Sequence, residues 1–219
     1  MISADQLVLF IAAGWLLNLT PGPDVFYIVT HALRSGARAG LVAGLGIAVG
    51  CCVHIVAAAL GVGALLASSA TAFTALKWLG AAYLVWMGLR MLRAQPGDGL
   101  AAVARSAQAE RIPATPLAQV FLGGFWTNVL NPKVALFFLA FVPQFIAPGT
   151  QHKTLAFLLL GLLFNVNALP ISAAWALGAA WMARRVGALQ QRMHWLDRVA
   201  GAMFIGFGLK LAFTDQPTA

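Results

Sequence analysis

The chain has 219 residues, of which 61% are hydrophobic and 9% are charged. Soluble domains carry about 25% charged residues, so a globule of this composition has too little polar side chain to cover a water-facing surface, and lipid is the solvent it fits. A net charge of +8 would suggest nucleic acid on a soluble protein. Here the basic residues stand between apolar runs, so the pattern reads as membrane orientation and no nucleic-acid partner is expected.

Six apolar runs follow in chain order, each near the roughly 20 residues that a helical crossing needs. The first spans Leu7 to about Leu33 and contains Asp24 and His31. The start MISADQ carries no Lys or Arg, so it lacks the basic segment of a cleavable signal peptide, and this run is expected to stay as a helix. The second run spans Ala39 to about Ala67 and holds Cys51 and Cys52, which read as small apolar helix residues. The third spans Leu76 to Leu92. A polar stretch from Arg93 to Pro116 is the one linker. The fourth run spans Leu117 to about Val142 with Lys133 inside it, the fifth Thr154 to Met182, and the sixth about Val199 to Phe213.

All ten arginines fall in three alternate connections, after the first, third and fifth runs. The positive-inside rule then predicts those connections in the cytoplasm and both termini outside, in a multi-pass protein of the cell inner membrane.

The two halves resemble each other at the offset that carries Pro21 onto Pro132. The same offset pairs Phe26 with Phe137, Gly50 with Gly161 and His54 with Asn165. An odd number of spans per half makes the repeats opposite in topology. The expected fold is therefore an all-α membrane domain of two inverted three-helix repeats, residues 1–92 and 117–219, joined by the cytoplasmic linker 93–116.

Runs one and four are interrupted by proline, at Asn18-Leu19-Thr20-Pro21-Gly22-Pro23-Asp24 and at Asn128-Val129-Leu130-Asn131-Pro132-Lys133. An interior proline costs a helix about 3 kcal/mol and frees carbonyls that lipid cannot satisfy. Two readings stand: packing kinks, or two discontinuous helices that build a site. Thr20 before Pro21, and Asn131 before Pro132, each fit an N-cap followed by proline at the first helical position. Half-helices that begin inside the membrane present unpaired N–H groups suited to a carboxylate. Asp24 and Lys133 beside the breaks are costly in a bilayer, which favours a site. Treated as straight rods, the spans put Asp24 about 7 Å to the cytoplasmic side of the midplane and Lys133 about 4 Å to the outer side, too far apart to pair unless the breaks shift them, so the two are expected to flank the central cavity. Asp24 reads either as a group that binds ammonium and proton in turn or as a cap of its own half-helix. His54 reads as a proton relay or as a neutral residue bonded to a neighbour. Gly40, Gly44, Gly46 and Gly50 give the second run a small-residue face for close helix packing, which also permits a homodimer.

Thr20-Pro21-Gly22-Pro23-Asp24, Gly80-Ala81-Ala82-Tyr83-Leu84, Asn128-Val129-Leu130-Asn131-Pro132-Lys133 and Val142-Pro143-Gln144-Phe145 occur in the order and spacing of the LysE/RhtB translocators, and the chain resembles that family over its whole length, its Asn-Pro-Lys form looking like the RhtB branch. The resemblance implies efflux of amino acids or their derivatives driven by the proton gradient, with no cofactor and no ATP site. Substrate binding is then expected at Asn18, Thr20, Pro21, Gly22, Pro23, Asp24, Asn128, Asn131, Pro132 and Lys133, and proton coupling at Asp24 and His54.

A membrane thiol–disulfide carrier would need a cysteine at each break, and positions 18–24 and 128–133 hold none. A non-transporting assembly protein would tolerate loss of charge at Asp24. An enzyme is disfavoured, because the polar stretches carry no Ser/His/Asp cluster and no metal-ligand spacing.

Overall fold

A computed structural model describes residues 4–68, 115–147 and 149–183, together with positions 74–75, 78–79, 81–82, 85–86, 89, 92–93, 202, 205–206 and 208–209. Among these residues all regular structure is helical. The first apolar run forms α1 (Ala4–Leu19) and α2 (Pro23–Ser35), bent by 52° at the Pro-Gly-Pro turn. The second forms the single helix α3 (Ala37–Ser68), and the fourth opens with α4 (Leu117–Val129) and α5 (Pro132–Leu136). From α5 the chain continues through a π-helical turn (Phe137–Phe141) and a 3-10 turn (Val142–Phe145), and this half is bent 46° from α4. The fifth run is the long helix α6 (Lys153–Ala183). Two stretches, Ala37–Gly61 and Lys153–Ala183, are long and apolar enough to cross a membrane alone, and each bent pair also passes as one span. The third and sixth runs, the linker 93–116 and the arginines after the fifth run lie wholly or largely outside the described residues.

Helix α3 lies between α4 and α6, and its glycines set how close they come. A Cβ on Gly46 would collide with the Phe121 carbonyl of α4, and one on Gly50 would sit 2.6 Å from the Phe125 carbonyl. One on Gly40 would meet Ala176 of α6 at 2.9 Å. The small-residue face read from the sequence is thus split, Gly46 and Gly50 toward α4 and Gly40 and Gly44 toward α6. Gly124 answers from α4, where an added Cβ would sit 2.5 Å from the Ala43 carbonyl.

The main core is aromatic. Phe10 of α1 packs edge-on against Phe145, and Phe137 lies 4.7 Å from Phe164 of α6 between ring centroids. Ala81, from the third run, joins this cluster, and Gly208 of the sixth backs onto it: a Cβ there would approach the Ala81 carbonyl at 2.9 Å. Leu45, Leu60, Leu159 and Leu162 point outward, as helices in lipid do.

One local expectation is corrected. Thr20 does not cap the second half-helix of the first run. Helix α2 starts at Pro23, with extended Gly22 as its N-cap and Pro23 at its first position. Thr20 turns back instead, its hydroxyl donating to the Leu16 carbonyl at 2.6 Å, a bond that threonine commonly makes within helices. At the fourth run the expectation holds. Asn131 is the N-cap of α5, and its Oδ1 accepts from the Lys133 N–H at 3.0 Å.

Candidate functional site

The two breaks are laced together. Asp24, in the first turn of α2, reaches across to the other break, where its Oδ2 accepts from Asn128 Nδ2 and from Asn131 Nδ2, each at 2.9 Å. Lys133, in the first turn of α5, reaches the opposite way. Its Nζ donates to the Leu17 carbonyl at 3.1 Å and the Thr20 carbonyl at 3.4 Å. Those are carbonyls that the end of α1 leaves unpaired, and the ammonium complements the negative end of that helix dipole. Gly22 makes the room: a Cβ there would stand 3.1 Å from Lys133 Nζ. The ammonium is 3% exposed as part of its residue, and each break supplies the charge that the other receives.

No hydrogen bond joins Lys133 to Asp24, although the two charges lie within coulombic reach of each other. Both line one cavity of about 30 Å³, together with Asn18, Asn128, Asn165 and Trp175. Both charges thus border one cavity without pairing, across the two bent spans. That volume takes about two water-sized groups and not a whole amino acid, so any larger cargo needs the helices to move apart.

The candidates fall into four groups. Asn18, Asp24, Asn128 and Lys133 line the cavity, with Asn18 also donating to the Gly14 carbonyl at 2.8 Å. Asn131 stands behind them, tied to both Asp24 and α5. Thr20, Pro21, Gly22, Pro23 and Pro132 shape the breaks through the backbone. His54 is bonded to a neighbour: its Nε2 lies 2.8 Å from the Asn128 carbonyl, and its ring is parallel to Phe138 at 6.5 Å between centroids. It braces the residue that holds Asp24.

Several lining residues were not singled out as site residues in the sequence, Asn165 and Trp175 among them. Among the described residues four buried side-chain atoms lack a hydrogen-bond partner: Asp24 Oδ1, Asn128 Oδ1, Asn165 Oδ1 and Trp175 Nε1. All four belong to residues that line this cavity. Buried polar groups are otherwise paired in folded proteins, so the clustering marks the cavity as a place for a polar ligand.

The sequence profile of the LysE type translocators matches residues 15–215. The chain is 36% identical over 198 residues to an uncharacterized membrane protein of Pseudomonas aeruginosa, covering 89% of this chain and 88% of the other. It is 31% identical to the homoserine/homoserine lactone efflux protein of Salmonella typhimurium, with 93% and 94% covered. It is also 26% identical to the leucine efflux protein of Klebsiella pneumoniae, with 93% and 92% covered. No solved structure matches. A profile match across nearly the whole chain, joined to full-length relatives, carries the conclusion that this multi-pass membrane protein belongs to the LysE-type translocators, a family of transporters and not of enzymes.

Proposed function

We propose that this chain exports amino acids or small amino-acid derivatives from the cytoplasm by exchanging them for protons. One observation carries the reading: a buried carboxylate, Asp24, held on one oxygen by two amides and open on the other, in a cavity between two broken helices. A cation is the natural partner for the open oxygen, and either a proton or a substrate ammonium satisfies it. Occupancy by one excludes the other, which is the logic of antiport. Lys133 is committed to the α1 carbonyls, so it serves as the fixed charge that keeps the site near neutrality while Asp24 exchanges partners.

The full-length relatives named for homoserine, homoserine lactone and leucine efflux support an amino-acid-like cargo. The lactone has no ionised carboxylate, whereas all three compounds carry an α-ammonium. The shared anchor is therefore the ammonium, and Asp24 receives it. Helix α5 offers no rival anchor for a carboxylate: it is five residues long and Asn131 already caps it.

Around this site we place six spans in two inverted repeats, 1–92 and 117–219, in the inner membrane with both termini outside, on the arginine distribution and the paired breaks. Purified protein in vesicles tests the coupling. An imposed pH gradient should drive uptake of L-homoserine or L-leucine. Asp24→Asn should abolish gradient-driven accumulation and retain some substrate exchange across the membrane, at weaker affinity. A normal gradient response in that variant would remove Asp24 as the coupling group.

A further inference from the structure

We infer that Asn165 completes a three-acceptor site for a primary ammonium, in which Asp24 Oδ1, Asn128 Oδ1 and Asn165 Oδ1 each take one of its three N–H groups. The inference deepens the export reading above and rests on it.

The orientation of each amide is fixed by chemistry. Asn128 Nδ2 faces the Asp24 carboxylate, which only accepts. Asn165 Nδ2 faces the Ala48 carbonyl at 3.0 Å, which also only accepts. Both amide oxygens are therefore the unpartnered ends, and both residues are almost fully buried, 2% and 8% exposed. An amide oxygen left bare in such a place costs about 1–3 kcal/mol. Three such acceptors around one cavity are a cost with one economical remedy, a ligand that brings three donors.

A primary ammonium brings three N–H donors and one positive charge, and Asp24 supplies the opposing charge. The cavity, about 30 Å³, has room for an –NH₃⁺ head. Asn165 is placed by the long helix α6, which it ties to α3 at Ala48, in the turn whose Cys51 also lines the cavity. The fourth bare group, Trp175 Nε1, is not part of this head site, because an indole N–H only donates and cannot accept from an ammonium.

The count of N–H groups gives the test. N,N-Dimethyl-L-homoserine keeps the positive charge of L-homoserine and has a single N–H. In vesicles the wild type should take L-homoserine with at least about tenfold higher affinity than it shows for the dimethyl compound by competition. Asn165→Ala should weaken L-homoserine about tenfold and leave the dimethyl compound unchanged, so the preference shrinks. Asn165→Asp, which keeps an acceptor at the same position, should retain the preference. A wild type indifferent to methylation overturns the inference, whatever the variants do. Equal loss of both compounds in Asn165→Ala overturns it too, since that is the mark of a packing residue. Uptake that depends on sodium in the wild type and not in Asn165→Ala would assign the three oxygens to a metal cation. If the wild type moves neither L-homoserine nor L-leucine, the export reading fails and this inference falls with it; uptake without the methylation preference leaves export standing alone.

Discussion

Removing the Lys133 ammonium would leave the Leu17 and Thr20 carbonyls without their donor and the Asp24 carboxylate without its nearby positive charge. Charge-assisted hydrogen bonds contribute about 1.5–3 kcal/mol, and an uncompensated charge in a low-dielectric interior adds to the loss. Lys133→Met should therefore lower thermal stability sharply in detergent. Adding Asp24→Asn should recover part of it, because the second change removes the charge that the first one stranded. Melting temperatures of the two singles and the double measure this; additive losses would show that the two charges do not sense each other. Both residues were legible in the sequence because a charge in an apolar run is conspicuous and costly. Their partners were not, because the carbonyls and amides that receive them come from the opposite break, and the 52° and 46° bends exist only in three dimensions. Asn165 was legible only as the repeat mate of His54. It is neutral, sits in a long unbroken helix, and becomes notable only once its bare oxygen and the cavity are seen together.

At the scale of elements, the breaks announced themselves through proline, and the cap at Asn131 followed from Asn before Pro. The start of α2 was misplaced for a local reason: the hydroxyl that favoured Thr20 as the cap found a closer partner in Leu16, and Gly22 before Pro23 took the position instead. The π-helical turn at Phe137–Phe141 carries no such marker, since five apolar residues suit any helix. The close pass of α3 on α4 was legible as a glycine stripe, and it invites a graded experiment. At Gly46 even a methyl group strikes the Phe121 carbonyl, which is backbone and cannot swing aside, whereas at Gly178 of α6 an added Cβ meets nothing within 4 Å. Overpacking of this kind costs about 1–3 kcal/mol. Gly46→Ala should lower the melting temperature clearly, and Gly178→Ala should leave it unchanged or raise it slightly through better helix propensity. Equal effects at the two positions would mean that the α3–α4 approach is looser than its backbone contacts indicate. Tyr27 offers a second handle on the same pair of halves: its hydroxyl donates to the Val120 carbonyl of α4 at 3.0 Å and occupies the space over Gly123.

At the scale of the whole molecule, the paired breaks and the arginine pattern make separate demands that agree. Two bent spans that exchange a carboxylate and an ammonium across their breaks meet most simply if they run in opposite directions, so that each half-helix start faces the other's. Opposite directions require an odd number of crossings between equivalent points, and the proposed three spans per repeat meet that requirement. In that proposed arrangement the arginines after the first, third and fifth runs share one side, which the positive-inside rule predicts to be the cytoplasm. Reporter fusions check both demands at once. A fusion at Ala70, between the second and third runs, should give high alkaline phosphatase activity and a dark green-fluorescent-protein signal, as expected outside the inner membrane. Fusions at Ala102 in the linker and at Ala188 after the fifth run should give the reverse. The three positions lie outside the described residues, so the result rests on charge and span number alone. A cytoplasmic signal at Ala70 would invert the orientation and move the Asp24 side of the cavity away from the compartment that supplies the cargo. Opposite signals at Ala102 and Ala188 would break the three-plus-three count, and with it the inverted repeat.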